Sequence, residues 1–165
     1  MSKYGLIIFL FLSSVFNIDA QSRKHSKHEF KKFMQFIRTT EFKDTDTLFC
    51  RNYLCNKGLF QGMPLSGVGR DGLSEEEKVD LINQSKDTSK SYFNKKLMDK
   101  TVLVNGIERS CWQFSKPIFL RSYLLCVFSF AAHFDANTDY QKTFIYKKER
   151  GKWYKLFEIG AIKNY

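Results

Sequence analysis

Apolar side chains recur at every second position through residues 123–134, a pattern typical of a long β-strand. The even-numbered positions are all apolar: Leu124, Cys126, Phe128, Phe130, Ala132 and Phe134. Because side chains two residues apart share one face of a strand, we expect this face to lie in a core. The odd-numbered face is mixed and carries His133 near its end. We therefore expect function to concentrate on the odd face if that face is open.

Two segments before this strand have helical patterns. The first has apolar residues at the helical spacing i, i+3, i+4 and i+7, namely Phe30, Phe33, Met34 and Ile37. It predicts an amphipathic helix over residues 28–39 that covers the even face of the long strand. The second begins at Ser74, where Glu77 three residues later completes the pattern of a capping box. Residues 47–54 are also interpreted as a short helix.

From Thr101 onward the pattern indicates β-sheet. Asn105-Gly106 is a strong hairpin signal, and we expect it to join strands 101–104 and 107–114. A turn at Arg150-Gly151 would join the last two strands, with Phe144 opposite Phe157. The predicted fold class is therefore α+β, with N-terminal helices packed on a C-terminal antiparallel meander of about five strands.

The chain of 165 residues begins with a segment typical of a secretory signal peptide. A lysine precedes the apolar run Gly5–Phe16, and Ala20 is the small residue before the expected cleavage. This run is shorter than the ~20 residues that span a bilayer. We expect residues 1–20 to be removed and residues 21–165 to form a single exported α+β domain, periplasmic or secreted, with no transmembrane segment.

Residues 57–73 form a glycine-rich segment with one proline, a composition that favours a loop. Its spacing does not match a phosphate-binding loop. It is interpreted either as a surface loop or as a binding loop. If the protein binds a ligand, the first residues to consider are Gly62, Pro64, Gly67 and Arg70.

The cysteine count is even, which in an exported chain favours disulfide bonds. The four residues are Cys50, Cys55, Cys111 and Cys126. Three pairings are possible, and the sequence leaves them open between the local pairs and a bond from Cys50 or Cys55 to Cys126. The spacing Cys-x4-Cys without a matching second pair is poor for zinc, and we expect no metal site.

The formal net charge is +10, but most lysines are scattered along the chain. The charge is interpreted either as a solvated surface or as a patch for an anionic polymer. The partner remains unknown; an anionic polymer or an exported protein would fit, and the oligomeric state is open. The chain also holds 17 phenylalanines and 8 tyrosines, more than one core readily hides. Surplus aromatic area on a sheet indicates a groove or a contact surface.

No motif of serine, cysteine or metal-dependent hydrolysis occurs, and no cofactor is expected. The leading hypothesis is a non-enzymatic exported binding or interaction module. The alternative is a small metal-free hydrolase, similar to a ribonuclease and acting on a polyanion. In that alternative His133 would be the base, Glu158 or Glu108 the second acid–base group, and Arg109 or Arg121 the phosphate-binding cation.

Two short motifs carry a resemblance. Ser115-Lys-Pro-Ile-Phe119 fits S-x-P-[IV]-F, and Lys147-Lys-Glu-Arg-Gly-Lys-Trp153 fits K-K-x-x-G-K-W before the last strand. The C-terminal half thereby resembles small uncharacterised exported proteins of Bacteroidetes-type bacteria and, more distantly, NTF2-like cone domains. The resemblance implies an exported α+β domain and transfers no catalytic residues.

Overall fold

The computed structural model describes residues 25–60, 72–105, 110–134 and 137–163; at 133–134, 137–139 and 160–163 only the backbone is described. The predicted signal segment and most of the glycine-rich segment therefore lie outside the described residues. Two α-helices occur in the described part, α1 (residues 25–40) and α2 (Glu75–Ser85), together with a 3-10 turn at Lys95–Leu97. The strands are β1 (Leu48–Leu54), β2 (Ser91–Tyr92), β3 (Thr101–Val104), β4 (Cys111–Phe114), β5 (Ile118–Leu120), β6 (Leu125–Phe134), β7 (Asn137–Glu149) and β8 (Lys152–Lys163).

All eight strands belong to one mixed sheet of order β2-β1-β4-β6-β7-β8, with β3 beside β1 and β5 beside β6. The predicted fold class is therefore wrong: the protein is mainly β, and its sheet is neither a five-stranded meander nor wholly antiparallel. The error begins at residues 47–54, which form β1 rather than a helix. A short apolar run fits both periodicities, so local pattern alone does not separate the two.

The predicted hairpin at Asn105-Gly106 is also wrong. Cys50 of β1 pairs in parallel with Leu103 of β3 and with Trp112 of β4, so these two strands lie on opposite sides of β1. Residues 106–109 lie outside the described residues. A turn signal reports local preference only, and here pairing with β1 overrides it.

The last hairpin has the predicted turn, with Glu149 opposite Lys152. Its predicted register fails beyond Tyr146, because Tyr146 pairs with Lys155 while Ile145 pairs with Phe157. Leu156 has no partner between these two pairs and forms a β-bulge. The side chains of Phe157 and Glu158 therefore lie on the faces opposite to those that the sequence predicted. Phe157 consequently packs on the face opposite to Phe144, whereas the sequence pattern placed the two on one face.

Helix α1 packs on the face that holds the even-numbered residues of β6. The predicted stripe residues Phe33, Met34 and Ile37 are fully buried there, in one cluster with Phe128 and Tyr146. A buried ion pair between Glu29 and Lys148 fixes the helix to β7.

Helix α2 covers the opposite face of the sheet. The prediction that the helices pack together on one face of the sheet is therefore wrong. The predicted capping box is confirmed: the Ser74 side chain accepts a hydrogen bond from the Glu77 amide, and the Glu77 carboxylate accepts one from the Ser74 amide. Leu81 of this helix is buried in a second cluster with Leu125 and Val127 of β6. The odd face of β6 is therefore closed at these residues.

A buried polar network joins residues 57–60 to the middle of the covered face. The Leu59 carbonyl accepts hydrogen bonds from Ser129 Oγ at 2.8 Å and Gln141 Nε2 at 2.7 Å. Thr143 Oγ1 lies 3.0 Å from the Ser129 hydroxyl. Buried polar groups are stable only when they are paired, so this network explains why polar residues occupy the core-facing side of β6 and β7.

Candidate functional site

A concave site opens where α1 ends before it has crossed the whole sheet. Helix α1 covers Phe128 and Tyr146 and stops at residue 40, and the cleft lies beyond this end, where Trp112 and Tyr140 are half-buried. The resulting cleft has a volume of about 330 Å³. Its lining combines aromatic and charged side chains, which are Glu41, Phe42, Thr45, Trp112, Phe130, Tyr140, Lys142, Phe144, Lys155 and Glu158.

Arg38 holds the chain that leaves α1 and so shapes one wall of the cleft. Its guanidinium donates to the carbonyl of Phe42 and, at 2.7 Å, to the carbonyl of Thr45. The Arg38 Nε also donates to the Asp99 carbonyl at 2.9 Å. Because one side chain satisfies several carbonyls, the wall is fixed without regular secondary structure.

The floor of the cleft is a set of aromatic rings on β4, β6 and β7. Trp112 and Tyr140 flank Ala132 in one row of the sheet, and this small residue leaves room for their rings to meet edge-to-face, with ring centres 6.0 Å apart. Phe42 closes over Trp112 with ring centres 4.9 Å apart. Trp112 and Tyr140 are only half-buried, so part of each ring remains available to a ligand.

Two ion pairs line the rim. Lys142 Nζ lies 3.3 Å from the Glu158 carboxylate, and Lys155 Nζ lies 2.7 Å from the Glu41 carboxylate. Hydrogen bonding with Tyr140, supported by Glu158, raises the pKa of Lys142. The rim thus pairs two lysines with two glutamates, and their formal charges cancel.

The bulge in β8 is what brings Glu158 to this rim. After the skipped residue Leu156, Glu158 pairs with Phe144 and shares its face of the sheet. Without the bulge, Phe157 would occupy that face. Bulges commonly redirect a side chain in this way near functional sites.

Within the described residues, the structure separates His133 from Glu158, the base and acid of the predicted hydrolase site. Phe128, Phe144 and Glu158 form one row across the sheet, and His133 lies five residues beyond Phe128 on β6. At ~3.3 Å per residue and ~4.8 Å per strand, His133 and Glu158 are about 19 Å apart along the backbone, too far to act on one proton. Arg109 and Glu108 lie outside the described residues, and Arg121 is paired with Glu77.

The predicted binding residues Gly62, Pro64, Gly67 and Arg70 lie outside the described residues. The flanks of their segment are held in place. Leu59 and Leu73 are buried, and the Gly72 carbonyl accepts a hydrogen bond from Arg121. A second cleft of about 400 Å³ lies beside residues 56–60 and the end of α2, and one of the described residues that line it, the buried Phe60, is aromatic.

The predicted disulfides are not formed: Cys50, Cys55, Cys111 and Cys126 are all buried free thiols. Each sits on or next to a strand whose side-chain direction is set by sheet pairing, and pairing places no two of them in bonding geometry. Burial, with a smaller contribution from Cys111, raises the pKa of Cys50 to about 12. Burial also raises the pKa of Cys126.

No group of three metal-ligating side chains was found among the residues that the structure describes. None of the described helices is long and apolar enough to cross a membrane.

Sequence reasoning missed most of this cleft. Of the proposed residues whose side chains the structure describes, only Glu158 lines the site. The surplus of aromatic residues was a real signal of exposed ring surface, but periodicity assigned Trp112 and Tyr140 simply to strands. The cleft could not be located from the sequence, because its place depends on which paired residues of the sheet lie beneath the end of α1.

Comparison of the chain with known protein families, with curated proteins and with solved structures finds no match. The resemblance to exported bacterial proteins therefore stays a prediction, and the cleft is the basis on which function is argued.

Proposed function

We propose that the chain is an exported, non-enzymatic binding module whose ligand site is the cleft at the end of α1. The observation that carries the proposal is the combination of half-exposed rings and pre-paired charges in one cavity of about 330 Å³. Concave sites of this size in which aromatic side chains stand beside a few fixed polar groups are typical of small-molecule sites. Trp112 and Tyr140 supply contact area, and Lys142 and Glu158 supply directed hydrogen bonds.

Export is supported by the signal-like sequence of residues 1–20. The free thiols are compatible with it, because thiol oxidation proceeds through the thiolate. A buried thiol whose pKa is about 12, as at Cys50, has almost no thiolate at neutral pH. Burial can therefore protect reduced cysteines in an oxidising compartment.

A polyanion is a poor fit to this cleft. The net charge of +10 is not concentrated here, since each lysine of the rim is paired with a glutamate. An anionic group would have to displace a carboxylate from its lysine and then lie beside it, at a Coulombic cost.

The test is a titration of the ¹⁵N-labelled protein with a mixed set of small neutral, anionic and cationic compounds, followed by amide chemical shifts. We expect saturable shifts that cluster around residues 41–45, Trp112 and residues 140–144. The variant Tyr140→Ala should abolish them. The matched variant Tyr92→Ala, which removes a tyrosine that is 76% exposed and outside the cleft, should leave them unchanged.

Shifts that scatter over the surface, or that survive in Tyr140→Ala, would contradict the proposal. So would the absence of any saturable shift with the whole compound set.

A further inference from the structure

We infer that the cleft binds a neutral, polyhydroxylated ring, the chemistry of a saccharide unit. This inference rests on the proposed function and adds the class of ligand. It follows from two features that a saccharide uses together: a floor of aromatic rings and a rim on which two amines are already paired with two carboxylates.

The floor suits a ring with an apolar C–H face. Trp112 and Tyr140 meet edge-to-face, and Lys142 Nζ lies 5.3 Å from the centre of the Tyr140 ring, so these two half-buried rings form an angled platform and not a flat slot. A platform of this shape admits a puckered ring, whose C–H groups gain dispersion contacts and meet the negative π-faces. Phe42 and Phe130, both buried, contact the Trp112 ring with ring centres 4.9 and 5.6 Å away. The platform is therefore preorganised before a ligand arrives.

The rim suits hydroxyl groups. A hydroxyl both donates and accepts, so it can bridge an amine and a carboxylate without separating them. The Lys142–Glu158 pair, at 3.3 Å, offers one such bridge beside the platform. The Lys155–Glu41 pair offers another, and Glu41 is held in place by a hydrogen bond from the buried Tyr146 hydroxyl at 3.2 Å.

Other ligand classes use only part of this site. A wholly apolar ligand would fit the floor but would strip water from four charged groups without replacing its hydrogen bonds. An anion would match the lysines but face Glu41 and Glu158. A zwitterion could match both ion pairs, and it is retained as a competing outcome of the test.

The chain provides its own optical probe. It has two tryptophans, of which Trp112 lines the cleft and Trp153 is buried in the cluster beneath α1. In a Trp153→Phe background Trp112 is the sole tryptophan. This protein is titrated with cellobiose, maltose and N,N′-diacetylchitobiose, and in parallel with glucuronate, cyclohexanol and glycine betaine.

We expect a saturable change in Trp112 emission with at least one disaccharide at millimolar or lower concentration, and weaker or no response to the other three compounds. Lys142→Met should weaken that binding by about tenfold or more, since it removes a hydrogen bond from a charged donor. Lys147→Met is the matched control, because Lys147 lies on the same strand and pairs with Glu149 on the exposed surface. It should change the affinity by less than about twofold. Glu158→Gln keeps the shape of its side chain and repeats the test if Lys142→Met does not fold.

The inference is overturned if none of the disaccharides changes Trp112 emission, if glucuronate, cyclohexanol or glycine betaine binds more tightly than all of them, or if Lys147→Met weakens binding as much as Lys142→Met. Failure of the ligand class is distinguishable from failure of the site. If compounds in the amide-shift titration occupy the cleft but disaccharides do not, only the saccharide assignment fails.

Discussion

Phe33 is the side chain through which α1 is held on the sheet, and its removal is the sharpest test of the fold. The ring is fully buried. Five aromatic rings surround it, with ring centres between 5.1 and 6.3 Å away, from Phe36, Phe119, Phe128, Tyr146 and Trp153. These neighbours belong to α1 itself and to four strands, β5 to β8, so the contact joins the helix to distant parts of the sheet.

Phe33→Ala should lower the free energy of unfolding by about 4–5 kcal/mol. Truncation of a buried phenylalanine typically costs ~3–5 kcal/mol, as lost transfer energy plus the cavity left behind. The upper part of that range applies because several edge-to-face pairs are lost and the rings around the cavity are anchored on strands that cannot collapse into it. For a chain of this length, the melting temperature should fall by roughly 8–20 °C.

Phe36→Ala is the matched control. It makes the same substitution one turn along the same helix, so the change in helix propensity is equal. Phe36 is only half-buried and has two of these ring contacts, with Phe33 at 6.3 Å and Tyr146 at 5.6 Å. We expect it to cost about 1–2 kcal/mol.

Urea unfolding followed by far-ultraviolet circular dichroism measures both values, and the midpoint should shift with little change in slope. A loss below about 2 kcal/mol for Phe33→Ala, or equal losses for the two variants, would show that α1 is not held as described.

Three further predictions concern other contacts. Burial alone would raise the pKa of Glu29, but the hydrogen bond and charge of Lys148 outweigh it and lower that pKa. The ion pair therefore stabilises the fold above the unfolded pKa of ~4.3 and loses its effect as the pH falls below it. Glu29→Gln should cost about 3 kcal/mol at pH 7, measured by urea unfolding, and the difference from wild type should shrink towards pH 3; a constant difference would contradict the ion pair. Ser74→Ala should cost about 1 kcal/mol and Ser74→Gly only a few tenths, and equal losses would argue against the cap. A thiol reagent should label none of the four cysteines in the native protein within minutes and all of them in urea without reductant; fewer in urea would reveal a disulfide.

Local chemistry predicted several features correctly. The helical stripe around Phe33 and the capping box at Ser74 involve residues within one or two helical turns of each other. Their contribution to stability therefore depends on neighbouring residues in the sequence. The turn at Arg150-Gly151 is equally local, because both residues have positive φ angles and glycine adopts them without strain.

The errors came from partners far away in the sequence. Leu48–Leu54 carries no local signal that it will lie between β3 and β4. The bulge at Leu156 allows β8 to contact both cores. Trp153 packs in the cluster under α1, and Phe157 packs against the cluster on the side of α2. The cleft depends on two such long-range features. Its floor lies beyond the end of α1, and the bulge in β8 turns Glu158 towards its rim.

The position of β1 has a consequence for how the chain acquires its structure. β6, β7 and β8 are joined by short turns and can pair as hairpins as soon as they exist, which is a fast, local process. β1 comes early in the chain, yet both of its long neighbours, β3 and β4, come later. Pairing them requires closing loops of about fifty residues, with an entropic cost that the hairpins do not have. We expect the C-terminal hairpins to form first and β1 to dock last, so a newly made chain would carry β1 unpaired until β6, β7 and β8 have been synthesised.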